Sequence, residues 1–207
     1  MAKTPDKDEV DGEAPAGEEG TPALTRRQAR HARKKKRNPW VEWGVLLGGA
    51  LIIAIVIRAF VFQTFWIPSE SMVPTLKIDD RVLVNKLSYK LHDPNRGDIV
   101  VFKAPPIAKT AEIKDLIKRV VGLPGETIQG KGGHISINGK RLKENYLPDG
   151  VESRTFGPVK VPKDSYFLLG DNRSVSEDST YFGAVNRDQL IGRAFLRIWP
   201  LNRLGFL

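Results

Sequence analysis

From Trp43 to Phe62 the chain reads WGVLLGGALIIAIVIRAFVF, twenty residues in which Arg58 is the only charge. As an α-helix this run extends about 30 Å, the thickness of a bilayer's hydrocarbon core. A segment apolar on every face is read as a membrane span rather than as one side of a globular domain. Arg58 lies near one end, where its stem can reach the headgroups. Trp40, Trp43, Phe60, Phe62, Phe65 and Trp66 bracket the span as interfacial anchors. Eight Lys or Arg and no acid lie between Arg26 and Arg37. By the positive-inside rule they predict a cytoplasmic N-terminus, with everything after about residue 63 on the outer side. A cleaved signal sequence fits poorly, because the preceding arm is long and no small-x-small site follows the apolar core. The expected location is therefore the cell membrane, crossed once. The basic run is explained by topology, so no nucleic-acid partner is expected.

Composition divides what remains. Residues 1–20 hold two lysines and seven acids with almost nothing apolar, and a stretch like that is expected to stay disordered. The expected organisation is a disordered arm over 1–39, acidic then basic, an anchor over 40–62 and an exported domain over 63–207. The overall balance of 33 Lys and Arg against 24 acids says less than this uneven distribution does. With no cysteine, disulfides and thiolate metal sites are excluded. Histidines at 31, 92 and 134 are scattered, which argues against histidine-rich metal chemistry.

Past the span the pattern changes to short apolar runs separated by turns. Arg81–Leu87 alternates with period two, and Asp98–Phe102 follows the turn Asn95-Arg96-Gly97. Ile117–Gly122 ends at Leu-Pro-Gly. His134–Ile137 and Lys140–Leu142 flank Asn138-Gly139, a strong type I′ hairpin signal. Tyr166–Leu169 leads into Gly170-Asp171-Asn172, and Leu190–Trp199 is a last long strand. With no sustained helical periodicity, the expected fold is mainly β: short strands in barrel-like sheets behind one transmembrane helix.

Three clusters could carry chemistry. The first is Pro68-Ser69-Glu70-Ser71-Met72-Val73-Pro74-Thr75-Leu76, two hydroxyls two positions apart between prolines that restrict the backbone. A serine needs a base to become a nucleophile. His92 and His134 fall in turn-like and hairpin surroundings and are read as surface residues. A lysine serves if burial keeps it neutral. Lys118 lies in Leu116-Ile117-Lys118-Arg119-Val120-Val121-Gly122, where alternation sends 118 and 120 to one face and 117, 119 and 121 to the other. Periodicity alone does not say which face is buried, so Arg119 stands as the alternative inward cation. The third cluster, Gly170 to Gly183, alternates acids and hydroxyls. It lacks the spacing of an EF-hand and contains Arg173, so a polar loop is preferred to a calcium site.

Four segments, in order behind a single anchor, resemble bacterial type I signal peptidases: SESMVPTL at 69–76, RGDIVVF at 96–102, KRVVGLPGE at 118–126 and GDNRSVSEDSTYFG at 170–183. The similarity covers about residues 40–207. It implies a serine endopeptidase in which Ser71 is the nucleophile and Lys118 the general base. Ser69 would donate to the oxyanion, Ser176 would orient the Lys118 amine and Asp178 would support the site. The family's usual arginine is replaced by Thr180, which leaves the partner of Asp178 open between Arg173 and water. Glu70 stands where many members have glycine, with no role assigned. Ile67, Met72, Leu76 and Ile117 are candidates to line shallow pockets for a small-x-small motif. The implied partners are preprotein signal peptides and the lipid bilayer, with no cofactor, no metal and no obligate oligomer.

Overall fold

The computed structural model describes residues 38–107 and 114–207; the arm at 1–37 and the side chains of 58–60, Arg58 included, lie outside the described residues. The chain divides into two units, residues 1–46 and 47–207, and the division falls inside the first helix.

Helix α1 spans Pro39–Phe60. Asn38 opens it, its Oδ1 accepting from the Trp40 N–H at 3.2 Å, and Pro39 has no N–H to satisfy. Its stretch Pro39–Ile57 is long and apolar enough to cross a membrane, with a mean hydropathy of 2.2. Val45 and Ile52 are 67% and 64% exposed, so the apolar surface here is not covered by protein. The helix ends at Phe60, and Phe62 already belongs to strand β1, Phe62–Trp66. That strand was not expected. Its aromatics look like anchor residues in the sequence, and only pairing with β2 reveals them as a ladder.

The strands that follow are β2 (Arg81–Asn85), β3 (Ile99–Lys103), β4 (Asp115–Gly122), β5 (Thr127–Lys131) and β6 (His134–Ile137). After them come β7 (Lys140–Arg141), β8 (Phe156–Lys160), β9 (Ser165–Leu169), β10 (Val185–Asn186), β11 (Leu190–Trp199) and β12 (Gly205–Phe206). They form two antiparallel sheets, one in the order β1-β2-β11-β3-β4-β9-β10 with β12 beside β11, the other β7-β6-β5-β8. Within 63–207 the described α-helices are single turns, α2 (Ser88–Leu91) and α3 (Ser179–Phe182). The β6–β7 turn has positive φ at Asn138 and Gly139, 50° and 79°, as a type I′ turn requires. Strand β8, with Gly157 and Pro158, takes the edge of its sheet, where a missing N–H is tolerated.

Strand β4 positions the chemistry. It pairs with β3 on one side and β9 on the other, and all six residues from Ile117 to Gly122 are buried. A strand covered on both faces has no polar face, which is why alternation could not orient Lys118. A core of Val121, Phe167 and Leu169 from the large sheet with Ile128 and Ile135 from the small one joins the two sheets. Phe156 stacks on Phe167 there at 5.3 Å.

Candidate active site

The segment after β1 coils into a tight turn, with the Val73 N–H bonded to Glu70 O at 3.0 Å and the Leu76 N–H to Met72 O at 2.9 Å. Met72 and Leu76, four residues apart, share the buried side of this turn and lie wholly in the core. Burying that side turns the other outward and leaves Ser71 half-buried. The loop at 170–183 grips the turn from outside: Asn172 donates from its backbone N–H to Ser71 O at 3.1 Å and from Nδ2 to Glu70 O at 3.2 Å.

Lys118 comes in from β4. Its Nζ donates to Ser71 Oγ at 2.8 Å and to Ile117 O at 3.0 Å, and the side chain is 3% exposed. Burial lowers its pKa from the usual 10.5 to about 8, partly opposed by the carboxylates of Asp178, Glu177 and Asp171. Arg119, the alternative cation, is also buried but differs in company. Asp171 accepts from its Nε at 2.8 Å and from its Nη2 at 2.6 Å, Thr75 donates to the same carboxylate at 2.5 Å, and the Tyr146 ring lies 4.2 Å from the guanidinium. Asp171 therefore neutralises Arg119, whereas Lys118 has a hydroxyl and a carbonyl.

Ser69 Oγ lies 3.3 Å from Ser71 Oγ. Ser176 is fully buried, and its hydroxyl has no hydrogen-bond partner among the described residues. Asp178 is also buried and begins α3, accepting from the Thr180 N–H at 3.1 Å, the Thr180 hydroxyl at 2.8 Å and the Gly170 N–H at 3.1 Å. This answers the question left by Thr180: threonine itself partners Asp178. Arg173 does not, because it is turned to Glu144, Ser153 and Gly170 O. Asp171 and Asp178 are thus engaged by Arg119 and by the α3 cap respectively. His92 and His134 are exposed, against Asp93 O and Arg141 respectively.

A cleft of about 40 Å³ opens beside the two serines, lined among others by Trp66, Ile67, Asp115, Ile117 and Lys118. Ile67 and Ile117 are among the residues that line it. Met72 and Leu76 do not: the turn that presents Ser71 sends them into the core. Sequence reasoning missed Gly170, where a Cβ would overlap Ser176 and the Ser71 carbonyl oxygen. Its only signal was a glycine at the end of a strand. It also gave no function to Asn172 or to the Thr75–Asp171–Arg119 group, whose members are far apart in the chain.

A mainly β domain that buries a lysine amine against a serine hydroxyl, beside a small cleft, has the parts of a serine hydrolase with lysine in histidine's place. The family model described as signal peptidase, peptidase S26, matches residues 40–199. Probable signal peptidase I-2 of Synechocystis sp. is 47% identical over 191 residues, 89% of this chain and 86% of that protein. Signal peptidase I of Leptolyngbya laminosa is 45% identical over 190 residues, 90% of this chain and 93% of that one. A crystal structure of a signal peptidase I from Enterococcus faecalis, 32% identical, covers 49% of this chain and 97% of its own, with a TM-score of 0.41. The chain belongs to the S26 signal peptidase family and is a serine endopeptidase.

Proposed function

We propose that this protein removes N-terminal signal peptides from exported preproteins, through an acyl-enzyme on Ser71 formed with Lys118 as general base. The observation that carries the reading is the 2.8 Å approach of a buried lysine amine to Ser71 Oγ. With its pKa near 8, Lys118 is substantially neutral at mildly alkaline pH.

Neutral Nζ takes the Ser71 proton as Oγ attacks the scissile carbonyl. The tetrahedral oxyanion is met by the Ser69 hydroxyl and the Ser71 backbone N–H. Lys118 then returns the proton to the leaving amine, the mature protein departs, and the signal peptide stays esterified to Ser71. Water, deprotonated by the same amine, releases it and restores Ser71. Ser176 supplies a buried hydroxyl, without a partner among the described residues, that is free to bond Nζ once Ser71 has given up its proton, and Asp178 fixes that stretch of the loop. Signal peptides end in a small-x-small motif. A cleft of about 40 Å³ walled by Ile67 and Ile117 suits a methyl-sized side chain and excludes a large one.

The apolar helix, long enough to cross a membrane, supports a membrane setting for this chemistry. By the positive-inside rule the basic run before it supports a cytoplasmic N-terminus and a catalytic domain on the outer face. Ser71 follows Phe62 by nine residues, so chain length alone holds it within about 30 Å of the span. A tethered enzyme meets a membrane-held substrate at high effective concentration.

The test is mass spectrometry of a preprotein incubated with the full-length protein in detergent. The wild type is expected to yield a new N-terminus after a small-x-small motif, and Ser71→Ala none. Equal cleavage by both proteins would refute the assignment of Ser71.

A further inference from the structure

Two arginines cross between the small sheet and the 170–183 loop, in opposite directions. Arg173 leaves the loop and donates to Glu144 from Nη1 at 2.9 Å and Nη2 at 2.6 Å, and to Ser153 Oγ at 2.6 Å. Arg154, between β7 and β8, reaches into the loop. It donates from Nη1 to Ser176 O at 2.7 Å and from Nη2 to Ser174 O, and its guanidinium lies 4.9 Å from the centre of the Tyr181 ring.

The backbone of Arg154 is itself seated. A Cβ on Gly130 of β5 would overlap the Arg154 carbonyl oxygen, so β5 meets it at a distance only glycine permits. One residue earlier, the Ser153 N–H bonds to Gly133 O at 2.9 Å. The void shared by Arg154, Arg173, Asp178 and Thr180 measures about 10 Å³. That leaves room for no more than about one water. A planar guanidinium holding two carbonyls two residues apart acts as a rigid fork, which an ammonium cannot reproduce.

We infer that Arg154 is a positioning residue of the catalytic site: by holding Ser174 O and Ser176 O to the small sheet, it sets where the Ser176 hydroxyl and the following two carboxylates stand relative to Lys118. The inference rests on Ser71 and Lys118 being the reacting pair. It makes the small sheet, which contributes nothing to the cleft, part of the apparatus that orients the base.

The consequence is electrical as well as geometric. The carboxylates of Asp178, Glu177 and Asp171 from the loop act on Lys118, Asp115 of its own strand lines the same cleft, and Arg119 is its neighbour along β4. Arg119 is already paired with Asp171. Loosening the loop lets water reach the amine and relieves the burial that keeps it neutral. The pH at which activity rises therefore moves upward.

The experiment compares full-length wild type, Arg154→Ala, Arg154→Lys and Ser71→Ala in detergent on one preprotein, reading kcat, KM, the pH–rate profile and the melting midpoint. Arg154→Ala is expected to lower kcat about tenfold, with KM changed less than about twofold and the rising limb moved to higher pH. Arg154→Lys, able to hold one carbonyl, falls between. The inference fails if Arg154→Ala keeps wild-type kcat and profile, if only KM changes, or if kcat falls with the profile unmoved and lysine restores nothing. Should the alanine variant not fold, the lysine variant decides: wild-type kcat and profile overturn the inference, and an intermediate kcat with a shifted limb upholds it. An inactive Ser71→Ala beside a normal Arg154→Ala rejects this inference alone, whereas an active Ser71→Ala rejects the catalytic assignment beneath it.

Discussion

Lys118 and Arg119 are consecutive cations on one strand, both buried, with opposite electrostatic fates. Asp171 accepts two hydrogen bonds from Arg119, while burial lowers the Lys118 pKa to about 8. The rate should therefore climb as pH passes about 8. A flat pH–rate profile from acid to alkaline conditions excludes lysine as the base. Stability follows the same ionisation. Below pH 8 the folded protein carries a buried charge, and between the folded pKa near 8 and the unfolded 10.5 the unfolded chain binds more protons. Stability thus rises with pH across that window, by roughly 3 kcal/mol in all. Lys118→Met, which removes the amine, should be inactive yet melt higher than wild type at pH 6. Its advantage should shrink above pH 8, which calorimetry at several pH values checks.

At the scale of elements, the site is a meeting of a turn, a strand and a loop. The turn at 69–76 is held by Met72 and Leu76 beneath and by Asn172 above, and β4 is pinned between β3 and β9. The loop closes over both only because Gly170 lacks a side chain. Gly170→Ala should push Ser176 and the Ser71 carbonyl apart. The expected result is a stability loss of about 1–3 kcal/mol by denaturant unfolding. Per folded molecule, kcat should fall at least tenfold, and a variant with unchanged kcat would mean that the Ser71–Ser176 spacing is irrelevant to turnover. Much at this scale was legible beforehand. The Asn138-Gly139 hairpin and the Leu190–Trp199 strand depend on local turn chemistry and residue type. Strand β1 was not, because an aromatic strand and an aromatic membrane border have the same composition. Nor was the Thr180–Asp178 contact, since a cap replacing an arginine is apparent only once α3 is seen to begin there.

For the whole molecule, the proposed function divides the work between an apolar helix that recruits substrate and a β domain that cuts it. Full-length protein and a form beginning at residue 63 should then differ on a preprotein held in vesicles, with kcat/KM lower for the shorter form. On a short soluble peptide the two should match within about threefold. Equal rates on both substrates would remove the helix from the catalytic argument.

Residue order alone determined that a bilayer-length apolar helix precedes a run of short strands, and which serine and lysine to pair by resemblance. Those properties reside in composition, in local turns and in contiguous motifs. The tertiary structure alone decided that Arg119 rather than Lys118 takes the hydrogen bonds of Asp171, and that Met72 and Leu76 anchor the turn at 69–76 from within the core. It also brought Arg154 onto the carbonyl of Ser176. Each of these depends on which groups become neighbours once distant residues are packed together, 52 positions apart for Arg119 and Asp171 and 22 for Arg154 and Ser176, and burial and pairing energies exist only once those neighbours are in place.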